Sequence, residues 1–171
     1  MSPLNAVNGQ NPRQIAAGIL QQRRPGGGFT EDFLERALVK TPLSTVDRAL
    51  CQELVYGVVR WQAALDWLIA RKTDNRKQSP GLLNLLRLGL YQIFWLDRIP
   101  DHAAVHETVE LAKHGGFGSQ AGFVNAILRG YLRQTTATKK MLTELKVSQP
   151  AVGWSHPDWL VTRWQKRWGA E

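Results

Sequence analysis

His102 and His106 stand four residues apart with Glu107 and Glu110 close behind. That spacing sets two imidazoles on one helix face, where they can share a divalent metal. The zincin pattern needs a glutamate directly after the first histidine, and Ala103 stands there instead. No third ligand of matching spacing follows, and helix-surface histidines are far more often unliganded, so no metal is expected. Gly26, Gly27 and Gly28 could cradle a phosphate only after a strand and before a helix. They follow a helical pattern, so an ordinary loop is expected. The turn Gly115-Gly116-Phe117-Gly118 does open a helix, whose free amides suit one phosphate, but a plain helix–helix turn is the simpler reading. Cys51 lies mid-helix beside core positions, away from the basic, partly exposed setting of a catalytic thiolate.

The cations are the stronger signal. Arg13 falls in the first turn of the first helix and Arg23 and Arg24 at its end. Lys113 closes a later helix, and Arg129 and Arg133 project together from the one after. Paired guanidinium groups suit bidentate recognition of phosphate. Arg13, Lys113, Arg129 and Arg133 are therefore the candidate RNA-binding residues, against the blander alternative of a solvated face with scattered ion pairs.

These side chains sit on a succession of helical patterns. Asn11-Pro12 reads as cap and first-turn proline, with Ile15, Ala16, Ile19 and Leu20 recurring behind it. Thr30 can cap a second helix with Glu31 and Asp32 in its first turn. Ser44-Thr45-Val46-Asp47 resembles a capping box, followed by apolar residues from Val46 to Leu68 at steps of three or four. This is one long helix or two in succession, with a break near Gly57. The stretch from Pro80 to Asp97 is apolar on nearly every side and belongs at the centre of a bundle. Gly89 in its middle calls for another helix packed closely against it. Helices from Pro100 to about His114 and from about Ser119 onward complete the pattern, with Asn125, Arg129 and Arg133 sharing one face. No alternating strand appears, so the fold class is all-α, a bundle of about six or seven helices.

Residues 1–10 read as a frayed leader, 11–134 as the bundle, 135–153 as a polar linker, and 154–171 as the start of a further segment. Four of the seven tryptophans fall in residues 154–168, and a helix that aromatic needs something to pack against. It is expected to begin another domain rather than dock back on the bundle.

The chain has 171 residues, 43% of them hydrophobic, which is enough for a core. Its net charge of +8 is spread along the whole length and attracts polyanions, of which nucleic acid is the commonest. One cysteine excludes an internal disulfide. No signal pattern opens the chain and no apolar run is long enough to span a bilayer, so a cytoplasmic protein without membrane contact is expected.

Several runs together resemble a known family. They are Leu54-Val55-Tyr56-Gly57-Val58-Val59-Arg60-Trp61 with Leu65-Asp66-Trp67-Leu68, and Leu86-Arg87-Leu88-Gly89-Leu90-Tyr91-Gln92. Next come Ile99-Pro100-Asp101-His102-Ala103-Ala104-Val105-His106-Glu107 and Val109-Glu110-Leu111-Ala112-Lys113. The last is Gly122-Phe123-Val124-Asn125-Ala126-Ile127-Leu128-Arg129. In this order they resemble the NusB-like domain at the front of RsmB-type (Sun/Fmu) ribosomal RNA cytosine-C5 methyltransferases, an all-helical relative of the antitermination factor NusB. The run Ser155-His156-Pro157-Asp158-Trp159-Leu160 resembles the stretch leading into the methyltransferase half.

The resemblance implies a NusB-like bundle that helps hold small-subunit ribosomal RNA, while a methyltransferase domain in cis transfers a methyl group from S-adenosylmethionine. That chemistry uses two cysteines and a Rossmann-like cofactor site. One buried-looking Cys51 and no strand–glycine loop–helix unit lead to the expectation of no catalysis and no cofactor in this chain. The chain as given stops at Glu171 where the second half is expected, as an excised domain or a truncated product. Two alternatives stand: a free-standing NusB-like transcription antitermination factor with a ribosomal protein partner, and a protein–protein docking module.

Overall fold

The computed structural model describes residues 11–23 and 28–169. The leader 1–10, Arg24, Gly26 and Gly27 lie outside the described residues. Among those described there are ten α-helices, one 3-10 turn and no strand. Seven of the helices fall within the bundle expected over 11–134.

Helix α1 (Pro12–Gln22) starts as its sequence demands: the Asn11 side chain accepts from the Arg13 amide at 2.9 Å, with proline first in the helix. Helix α2 (Thr30–Lys40) begins one residue earlier than a Thr30 cap allows, with Phe29 at the cap position and no side-chain cap. Ser44 caps α3 (Thr45–Arg60) by accepting from the Asp47 amide. The break before α4 (Gln62–Lys72) falls at Trp61, not near Gly57. Gly57 has a different task. A Cβ there would lie 1.9 Å from Tyr91 Cζ, so glycine is what lets the Tyr91 ring lie against α3.

Tyr91 belongs to α5 (Pro80–Trp95), the central helix, which touches α1, α3, α4, α6 and α7. Its buried residues lie on every side, including Leu82, Leu85, Leu86, Leu88, Leu90 and Ile93, as expected of a helix with so little polar surface. A Cβ on Gly89 would come 2.8 Å from Leu128 and 3.1 Å from Thr108. The close approach expected at this glycine is therefore real, and it brings both α6 (Asp101–His114) and α7 (Ala121–Leu132) onto α5.

Polar groups inside the bundle are tied in sequence. Asn84 Nδ2 donates to the Leu20 carbonyl, and Arg87 Nη1 donates to Asn84 Oδ1. Arg87 then grips Asp66 through Nε and Nη2 at 2.6 and 2.7 Å. This bidentate pair joins α5 to α4, and Asn84 carries the chain of contacts on to α1. The Tyr131 hydroxyl donates to the Leu68 carbonyl at 2.6 Å and fastens α7 to α4.

The expected linker over 135–153 is instead helical. Helix α8 (Thr135–Ser148) forms because Thr138, Leu142 and Leu145 recur at helical spacing within its polar composition. Thr138 and Leu145 are buried. A short helix α9 (Pro150–Gly153) folds back on α8, and Gly153 is pressed so closely that a Cβ would meet the Lys146 backbone at 2.6 Å. The final helix, α10 (Asp158–Trp168), buries none of its residues. No described helix is long and apolar enough to cross a membrane.

Candidate nucleic-acid interface

Helices α6 and α7 run side by side from the Gly115–Gly118 turn, and a groove of about 380 Å³ opens between them. From α6 it takes His102, His106, Glu110 and Lys113, which recur at four, four and three residues and so share a face. From α7 it takes Gly122, Asn125 and Arg129, spaced by three and four. A Cβ on Gly122 would meet nothing within 4 Å, so its missing side chain leaves the groove open at that level.

Val105, Val109 and Ala121 complete the lining, so the groove is mixed, with Lys113 and Arg129 as its cations and Glu110 as its one carboxylate. Arg129 Nε donates to Asn125 Oδ1 at 2.8 Å, which orients the guanidinium. Among the described residues its two Nη groups make no hydrogen bond. Lys113 Nζ lies 2.7 Å from Glu110 Oε1, and His114 Nε2 lies 3.4 Å from Oε2. The hydrogen bond from Lys113 holds the Glu110 carboxyl below its ordinary value, helped by attraction from Lys113, His106 and His114. The one acidic side chain lining the groove is thus paired with Lys113, while Arg129 forms no ion pair among the described residues. The groove therefore offers N–H groups from Lys113, Arg129, Asn125 and the two imidazoles, whose chemistry suits phosphate oxygens and base edges.

Of the four cations singled out by sequence, the fold brings Lys113 and Arg129 together in this groove. Arg133 is exposed one turn further along at the end of α7, outside the groove lining. Arg13 is half-buried and its Nε donates to Gln92 Oε1 at 2.7 Å. Beside it, Asn11 Nδ2 reaches Glu107 Oε2 at 3.1 Å. Arg13 therefore ties α1 to α5 and is no part of the groove. Asn125 and the histidine pair were not among the RNA candidates. Their signal was present in the spacing: His102 and His106 share the face of Lys113, and Asn125 that of Arg129. The sequence does not say which faces of two different helices meet.

Of the other sites considered in the sequence, Gly26 and Gly27 lie outside the described residues. Among the described residues no group of three or more His, Cys, Asp or Glu could hold a metal ion. Cys51 is fully buried, and desolvation pushes its thiol up to about 11, so it stays protonated and unreactive at neutral pH.

The structure is an all-helical bundle built round a mostly apolar central helix, with a groove carrying Lys113 and Arg129 between two further helices. The NusB family model matches residues 10–133, and the chain belongs to the NusB family. It is similar to the probable ribosomal RNA small subunit methyltransferase B of Synechocystis sp., with 42% identity over 159 residues, covering 92% of this chain and 35% of the relative. The protein of the same name from Bacillus subtilis is 36% identical over 160 residues, covering 93% of this chain and 36% of its own length. Ribosomal RNA small subunit methyltransferase B of Escherichia coli O17:K52:H18 is 35% identical over 161 residues, covering 92% and 35%. The chain spans about a third of the length of these curated relatives. Each match is longer than the stretch covered by the family model, so the similarity runs past α7.

Proposed function

We propose that this chain is the RNA-holding, non-catalytic N-terminal part of a ribosomal RNA small-subunit methyltransferase, with the α6–α7 groove as its principal RNA contact. The observation that carries the reading is the convergence of Lys113, Arg129, Asn125 and the histidine pair in one open groove. The names of the relatives support ribosomal RNA as the ligand. In this reading Lys113 and Arg129 hold phosphates and Asn125 and the imidazoles reach sugar or base edges, with Arg133 extending the path. The methyl transfer, to cytosine C5 from S-adenosylmethionine, belongs to a methyltransferase domain in cis. The place of action is the cytoplasm.

A titration of the chain with a small-subunit RNA fragment at several salt concentrations tests this. Affinity is expected to fall as salt rises. The double variant Lys113→Ala/Arg129→Ala should bind about tenfold more weakly, with a salt slope shallower by about 1.5. Binding no tighter than that of a neutral helical control at low salt removes the RNA reading. The family match, which needs only the bundle, also favours a second reading: a free-standing antitermination-type factor with a ribosomal protein partner. The coding sequence after Glu171 separates the two, since an in-frame methyltransferase segment supports the first and a stop codon the second.

A further inference from the structure

The C-terminal helix carries a surface of its own. Trp159, Thr162, Arg163, Lys166 and Arg167 line one open face of α10, at the spacing of three and four that a single helix face requires. Trp159 stands at the N-terminal end of this face, one turn before Arg163, and is 65% exposed. None of the three cations forms an ion pair among the described residues, and Asp158 is the only acidic residue of the helix. The opposite side carries the half-buried Leu160 and Val161 and two exposed tryptophans, Trp164 and Trp168, of which Trp164 meets the His156 ring edge-on at 5.1 Å.

The entry to α10 is anchored to the bundle. Ser155 Oγ accepts from the Ala64 amide at 3.0 Å, satisfying an orphan donor of α4, which has no cap from its own side chain. Arg60 holds the Trp154 carbonyl, and Trp154 packs on Trp61 with the Lys146 ammonium 4.3 Å from its ring. These contacts set the direction in which the helix leaves, with the cationic face outward.

We propose that this face is a second contact for single-stranded RNA, in which Trp159 stacks on a base while Arg163, Lys166 and Arg167 hold the neighbouring phosphates. The proposal rests on the RNA-holding role assigned above. A cationic groove interleaved with an exposed aromatic ring is the usual platform for single strands. A membrane-surface helix separates the two, with aromatics on one face and cations on the other. Trp164 and Trp168 do lie outside the cationic face here. Trp159, however, shares the face of Arg163, Lys166 and Arg167, and a ring set among phosphate-holding cations favours RNA.

The test uses the full 171-residue chain and a labelled single-stranded oligonucleotide from small-subunit RNA, read by fluorescence anisotropy. Trp159→Ala should weaken binding about tenfold, while Trp159→Phe retains most of it. Arg163→Ala/Lys166→Ala/Arg167→Ala should make the salt slope shallower by about 2. All of these variants should keep the parent circular dichroism, because α10 buries no side chain. Parent-like binding by the α10 variants, alongside loss in Lys113→Ala/Arg129→Ala, overturns this proposal and leaves the groove intact. Failure of the parent chain to bind removes both. Binding to phosphatidylglycerol vesicles that depends on Trp159, with unchanged RNA affinity, also overturns it.

Discussion

Helices α5 and α10 are both crowded with large apolar side chains, yet their surroundings are opposite. Ten of the sixteen residues of α5 are buried, and none of the eleven of α10. The difference lies in where the polar groups stand. The few polar side chains of α5 that face inward are each answered: Asn84 by the Leu20 carbonyl, Arg87 by Asp66, Gln92 by Arg13. The helix can therefore be surrounded completely without leaving an unmatched charge. Helix α10 carries Arg163, Lys166 and Arg167 among its tryptophans with no such answer among the described residues, so burial within this bundle would strand their charges. One helix stabilises the protein; the other presents a surface.

The widest gap between the two should appear on truncating one side chain in each. Leu86→Ala in α5, where Leu86 is fully buried, should cost about 2–5 kcal/mol in urea unfolding. Arg87→Ala comes next, at about 2–3 kcal/mol, because it strands Asp66, a partly exposed partner. A cost under about 0.5 kcal/mol would mean that the pair is only a surface contact. High pH probes the same interior. Burial pushes the Tyr131 hydroxyl up to about 12, against an ordinary value of 10.0, and the Cys51 thiol up to about 11 from 9.0. Both are held protonated by the fold while the unfolded chain releases their protons earlier. Their contribution is fully present below about pH 9 and is lost as pH rises toward 12, so the urea midpoint should fall across that window. Tyr131→Phe and Cys51→Ala should flatten the fall.

Ser155→Ala removes the hydroxyl that accepts from the Ala64 amide, at a cost of about 1 kcal/mol. Amide exchange at Ala64 should quicken while that of α5 stays unchanged. The smallest effect belongs to α10. Trp168, 67% exposed, should change stability by less than about 0.5 kcal/mol on conversion to alanine. A loss of several kcal/mol there would break the contrast and place α10 in the core.

Much of the bundle was legible because its signals are local. The Asn11 and Ser44 caps, the apolar sweep of α5 and the close approach at Gly89 all follow from residue type and spacing. Beyond the one-residue shift at α2, the α3 end and the 135–153 run were misplaced for one reason: a distant partner decided them. Trp61 ends α3 by packing on Trp95 and Trp154, and Gly57, the sequence candidate for that break, is instead needed for Tyr91. The polar run 135–153 reads as a linker until Thr138 and Leu145 are seen to be buried. The candidate site was half legible. Lys113 and Arg129 were visible as cations on helix faces, but Arg13, equally cationic, turned inward to Gln92.

Residue type and periodicity by themselves determined that this chain is all-helical, that α5 lies at its centre and that it is basic enough to hold a polyanion. These follow from backbone propensity, apolar spacing and charge, which a linear chain carries at every position. Only the tertiary structure decided which helix faces meet. It set Lys113 opposite Arg129, removed Arg13 from the groove and turned the cations of α10 outward. The reason is geometric: a helix face is a property of one segment, whereas a site made by two faces depends on the crossing that packing around Gly89 permits.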